Sequence, residues 1–131
     1  MVFDKNADTQ DRLQYHLRVG PGDVADYVLL PGDPARVGRI SEHIEGPREV
    51  AYNREYRTVT GTYRGIAVSG TSTGIGCPSA GIAVEELANV GATHFIRVGS
   101  SAAFVEGIRP GDIIVNTATM RLDGTTAAYV D

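Results

Sequence analysis

The segment YVLLPGDPAR, Tyr27 to Arg36, constrains the fold more than any other, because it passes from strand chemistry to helix chemistry within a few residues. Tyr27-Val28-Leu29-Leu30 is an apolar run of strand length, Asp33 is a good N-cap, and Pro34 suits the first helical position, where no N–H is required. Gly32 lets the backbone come close to a ligand. A helix N-terminus carries about half a positive elementary charge and free N–H groups, so an oxyanion seated here gains from the dipole and from Arg36 together. On the heptapeptide Leu30 to Arg36 alone, a capped helix after a strand is an equally good reading.

A second glycine-rich and basic stretch, Gly70 to Ala103, favours the anion site. The loop Thr71-Ser72-Thr73-Gly74-Ile75-Gly76 follows an expected strand at Ile66 to Ser69, and Pro78 sits where the next helix begins. Ala80, Ala83, Val84, Leu87 and Ala88 recur at helical spacing and define the expected buried stripe, with Glu85, Glu86 and Asn89 on the polar side and Gly91 as the stop. His94 to Val98 then reads as a short strand running into Gly99-Ser100-Ser101. An arginine near a strand end, followed by glycine and two hydroxyls, offers a fixed cation, close backbone approach and small donors. Burying Arg97 in that strand would be costly without an anionic partner.

Along the rest of the chain, residues 1–14 read as loose, and order is expected from Tyr15-His16-Leu17. Val37, Ile40 and Ile44 give the first helix its stripe, with Gly46-Pro47 ending it. Glu49 to Tyr52, Arg57 to Tyr63 and Asp112 to Ala118 read as further strands, and Arg64-Gly65 as a tight turn. The pattern predicts an α/β fold with a mixed, mostly parallel central sheet flanked by helices, and ligand loops beyond strand C-termini. Cys77 reads as a small packing residue at a helix start, His43 as solvent-facing and His94 as a strand-start residue without a role.

At 131 residues the chain amounts to one small domain, and 42% hydrophobic content with 16 glycines describes a globular protein with many tight turns. A net charge of −4 gives no general attraction to nucleic acid or anionic membrane, so any phosphate must be caught by a few placed arginines. The single cysteine excludes an internal disulfide and favours a cytoplasmic setting. No apolar run approaches the ~20 residues that span a bilayer, and the N-terminus lacks the pattern of a signal peptide.

The landmarks LPGDPAR, NREYRTVTGTYRG, STGIGCPSAGIAVEELANVGA, FIRVGSS and RPGDIIVNTATMRLDG, in this order, resemble the trimeric or hexameric nucleoside phosphorylases. GIGCPSAGIAVEEL and RLDGTT are more similar to the uridine branch than to the bacterial-type purine branch. The resemblance implies a pentosyltransferase for phosphorolysis of uridine, with purine nucleoside phosphorylase or a non-catalytic phosphate- or nucleoside-binding fragment as alternatives. It implies inorganic phosphate at Gly32, Arg36, Arg97 and Ser100, with Arg54 added from a neighbouring subunit. It implies ribose contacts at Ser100 and at a neighbour's His16, and places Ser101 and Ala102 by the base. Ala102 departs from the family's usual glycine, and its methyl group crowds the base or shifts the backbone.

No cofactor is implied beyond a monovalent cation, usually potassium, at a dimer interface, through Glu55, the Ile75 carbonyl and Ser79. The expected assembly is a homo-oligomer, a dimer-based hexamer at full length. Residues 1–131 correspond to the N-terminal part of one such domain, since the family normally runs for about as much sequence again, and the chain alone is expected to be inactive. No catalytic nucleophile is assigned.

Overall fold

A computed structural model describes residues 13–130. The order of elements is β1 (Tyr27–Leu30), α1 (Pro34–Ser41), β2 (Glu45–Asn53), β3 (Tyr56–Tyr63), β4 (Ile66–Thr71), α2 (Cys77–Asn89) and β5 (His94–Arg97), with a short 3₁₀ turn at Thr126–Ala128. The five strands form one sheet in the order β2-β3-β4-β1-β5. Short connections dictate the antiparallel half: Arg64 and Gly65 both hold positive φ, 51° and 79°, the geometry of a two-residue hairpin turn between β3 and β4. Helical crossovers dictate the other half, in which β1 pairs in parallel with β4 on one edge and β5 on the other. The sheet is therefore mixed, as expected, but the parallel part is half of it rather than most: β4-β1 and β1-β5 are parallel, β2-β3 and β3-β4 antiparallel.

The two helices cover opposite faces. Gly70 lies against Ile40 of α1, while Val28 and Leu30 belong to the core with Ala83 and Leu87 of α2. Since Leu29 pairs with Gly70 and alternate residues point to opposite faces, α1 and α2 sandwich the sheet. Leu17, Val19, Tyr56, Val90 and Ala92 complete the α2-side core.

Several expected features fall elsewhere. α1 stops at Ser41, not at Gly46-Pro47; these two residues lie inside β2, across a register shift between Glu45 and Arg48. An edge strand tolerates proline because its outward N–H has no ladder partner to lose. The buried positions of α2 are Ala83, Glu86 and Leu87, whereas Val84 and Ala88 are exposed. The helix is thus turned from the expected stripe, and Glu86 has moved from the polar side to the core. Cys77 is exposed and free rather than packed. Arg97 is exposed, so its strand position carries no burial cost. Asp112 to Ala118 forms no strand: it pairs with no described segment, and Ile113 and Val115 remain 91% and 83% exposed. A strand exists only where a neighbour takes up its backbone groups. Gln14 is already ordered, its N–H donating to the Val19 carbonyl at 2.8 Å; the rest of the expected loose terminus, up to residue 12, lies outside the described residues.

The orientation of α2 is testable by urea unfolding. Leu87→Ala, at a fully buried site, is expected to cost about 2–5 kcal/mol. Val84→Ala should stay within about 0.5 kcal/mol, as exposed substitutions do. Equal losses would show that the helix presents the face first expected.

Candidate functional site

The three parallel strands end side by side, and the loops that leave them carry Gly32, Gly74 and Gly99. Ligand sites of open α/β sheets lie at such carboxyl ends. Here the loops are stitched together: Thr73 N–H donates to the Pro31 carbonyl and Gly74 N–H to the Gly32 carbonyl, each at 2.9 Å. Arg97 fastens the third, as its Nη1 donates to the carbonyls of Leu30 at 3.0 Å and Val98 at 2.7 Å. A β-carbon on Gly32 would stand 3.3 Å from Arg97 Nη2 and 3.3 Å from the Gly74 oxygen, and one on Gly99 would stand 2.9 Å from Nη1. The guanidinium therefore rests between two glycines, and a β-carbon at either would crowd it. Nη1 serves the fold through its two carbonyls, while Nη2 lies beside Gly32.

Arg36, in the first turn of α1, is half-buried, and its side chain has no hydrogen-bond or ion-pair partner among the described residues. The helix N-terminus is partly used, since Asp33 Oδ1 accepts from Ala35 N–H at 2.9 Å. Ser100, Ser101 and Ala102 continue from Gly99 in an exposed loop, where Ser101 donates to the Ala102 carbonyl at 3.3 Å.

The residues expected at a subunit boundary form a second cluster. Arg54 sits in the turn between β2 and β3 with φ 54°, a conformation that non-glycine residues rarely adopt, and it is exposed. Next to it, the Glu55 carboxylate accepts from Ser79 Oγ at 3.1 Å, and the Tyr56 hydroxyl lies 3.0 Å from the same Oγ. His16 joins this end through Asn53, whose Nδ2 donates to the His16 carbonyl at 2.7 Å. The carboxyl of Glu55 is held below the ordinary glutamate range, first by its own backbone N–H, against the opposing effect of burial, then by Ser79, Arg54 and His16. Glu55, Ser79 and the carbonyl-bearing loop at Ile75 are all oxygen donors, the kind that suits a hard cation. The Ile75 side chain itself is 98% exposed.

Gly74 joins the two clusters, and sequence reasoning gave it no separate role. It bonds to Gly32 on one side; on the other, a β-carbon would stand 2.6 Å from Glu55 Cγ and 2.9 Å from Ser79 Oγ, at a φ of 69°. The signal in the sequence was the density of glycine and hydroxyl residues in GTSTGIG. The second omission is Glu86, which holds His16 and Leu17; its signal was a carboxylate three residues from Ala83 and one from Leu87, inside an apolar stripe.

Residues 26–131 match the family model described as Phosphorylase superfamily. The chain belongs to this superfamily. It is 57% identical over 129 residues, 98% of its length, to a uridine phosphorylase of Thermococcus kodakarensis, of which it covers 47%. It is 45% identical over 116 residues to a guanosine phosphorylase of Halorubrum lacusprofundi, covering 88% of this chain and 48% of that one. The crystal structure of uridine phosphorylase from Vibrio fischeri superposes with a TM-score of 0.69 at 47% identity, over 71% of this chain and 39% of that one. The chain thus spans about half the length of the curated relatives it matches.

Gly74→Ala tests the joint. The positive φ alone costs about 1–2 kcal/mol, and the contact with Glu55 adds to it, so the variant should unfold at lower urea than a Gly65→Ala control, whose β-carbon meets nothing within 4 Å. Because the folded pKa of Glu55 is depressed, its contribution to stability is fully present above its unfolded value near 4.5 and is lost as pH falls through the lower folded value. Glu55→Gln should therefore flatten the acid limb of the stability profile below about pH 4.5. An unchanged limb would show that the carboxylate gains nothing from folding.

Proposed function

We propose that this chain forms the phosphate-binding part of a uridine phosphorylase. The observation that carries the reading is the Arg97 guanidinium, fixed by two carbonyls between Gly32 and Gly99 at the junction of three loops. In phosphorolysis an oxygen of inorganic phosphate attacks the anomeric carbon, and the bond to the base breaks with its electron pair leaving on the base. The products are ribose 1-phosphate and uracil. The chemistry asks the protein for positioning and charge stabilisation rather than a covalent nucleophile. Arg97 supplies a fixed positive charge and Arg36 a second one, the loop glycines allow close approach, and Ser100 supplies a hydroxyl at the same strand end.

Uridine is preferred as substrate because the relative at 57% identity is a uridine phosphorylase, against 45% for the guanosine phosphorylase. That second relative supports a purine nucleoside as the other reading, and Ser101 with Ala102 at the base position is where the two would differ. We assign Arg54 and His16 to the site of a neighbouring subunit, within a dimer-based hexamer. Their nearness to Glu55 and Ser79 supports this, since one exposed end of the sheet then carries the whole shared set. The same end would hold the monovalent cation, between the oxygen donors of Glu55, Ser79 and the Ile75 carbonyl. The lone, free Cys77 agrees with a cytoplasmic setting. Among the described residues no helix is long and apolar enough to cross a membrane.

Phosphate should raise the thermal stability of the chain, by about 2.7 kcal/mol at a hundredfold excess over Kd. Arg97→Ala should abolish that increment and Arg39→Ala should preserve it; equal increments would refute the site. Joined to the second half of the Thermococcus kodakarensis enzyme, the chain is expected to release uracil from uridine only when phosphate is present. In that joined form, mixing Arg54→Ala with Arg97→Ala subunits should restore about a quarter of the sites, because each mixed dimer rebuilds one intact pair. No recovery after confirmed subunit exchange would count against sharing.

A further inference from the structure

The side chain of Glu86 is the most heavily bonded in the core. Its Oε1 lies 2.6 Å from His16 Nδ1 and accepts from His16 N–H at 3.0 Å; its Oε2 accepts from the same N–H at 3.0 Å and from Leu17 N–H at 2.8 Å. The residue is 9% exposed, so the cost of burying the carboxylate is offset by these bonds. A structural anchor for the loop before β1 would need only the two amides. The third contact goes to a ring nitrogen of His16, which the proposed function places at a neighbour's ribose.

We propose that Glu86 is a positioning residue which holds a proton of His16 on Nδ1, so that in the neutral ring Nε2 is the acceptor presented to the ligand. A carboxylate accepts only, so the neutral ring that bonds to it must carry its proton on Nδ1. The rest of His16 is fixed as well. Its carbonyl is held by Asn53 Nδ2, and its ring lies edge-on to Tyr15, at a centroid distance of 4.9 Å, and to Tyr56, at 6.5 Å. Nε2 has no hydrogen-bond partner among the described residues, and the side chain is 29% exposed. A ligand group that meets this nitrogen must bring its own proton. A sugar hydroxyl does so, as does the P–OH of inorganic phosphate, whereas an ionised phosphate oxygen does not. This consequence rests on the proposed function, but the tautomer does not.

Nitrogen-15 NMR of the imidazoles in the intact chain at pH 8 tests the proposal without substrate, with His16→Gln supplying the assignment. The expected result is a pyrrole-type Nδ1 and a pyridine-type Nε2 for His16. An Nε2–H tautomer, or a ring protonated at both nitrogens, would overturn it. In Glu86→Gln the one carbonyl oxygen is taken by the His16 and Leu17 amides, which turns the N–H₂ to the ring, so the variant should move the His16 proton to Nε2 while leaving the phosphate-dependent stabilisation unchanged. An unaltered tautomer in a folded Glu86→Gln chain would also overturn the proposal, and if that variant does not fold, the measurement on the unsubstituted chain decides alone. Loss of phosphate binding in the unsubstituted chain, with the tautomer as expected, would instead strike the proposed function and spare Glu86.

Discussion

The pairing of β1 along both of its edges is the constraint on which the rest depends. Its four residues meet β4 on one side and β5 on the other, both in parallel. Parallel pairing brings the carboxyl ends of three strands to one end of the sheet, and that alone makes three loops neighbours although they are far apart in sequence. The register then sets Leu30 opposite Arg97, close enough for the guanidinium to donate to the Leu30 carbonyl. A guanidinium held in this way pays its ordering cost during folding, so little is left to lose when an anion arrives.

Close approach without side chains is the second theme. Gly32, Gly74 and Gly99 each occupy a place where a β-carbon would come within 3.3 Å of a neighbour. Gly74 is the most demanding, because it touches both the Gly32 loop and the Glu55–Ser79 pair. Ser72 reinforces the same joint, donating to the Glu55 carbonyl at 2.6 Å and accepting from Arg57 N–H at 2.8 Å. The two clusters are thus joined by a continuous chain of contacts, from the β2–β3 turn through Gly74 to the loop that holds Gly32.

Some of this was legible in the residues and some was not. The strand-to-helix junction at Leu30 to Pro34, the Arg64-Gly65 turn and the stop at Gly91 were readable because each depends on φ preferences and capping within a few residues. The face of α2 was misjudged because a periodicity count treats every glutamate as outward-facing, and only the amides of His16 and Leu17 make Glu86 welcome inside. The strand expected at Asp112 to Ala118 failed for the converse reason. Its apolar run Ile113-Ile114-Val115 has strand chemistry, but no described segment offers it a ladder.

By itself the sequence determined which segments are strands or helices near their turns and caps, and it carried the motifs of the superfamily, because these are properties of neighbouring residues. Only the tertiary structure decided that Arg97 would lie between Gly32 and Gly99, that Gly74 would join two clusters, and that Glu86 would grip His16. The reason is separation along the chain: His16 and Glu86 stand 70 positions apart, and nothing short of the packed core brings a carboxylate to a ring nitrogen across that distance.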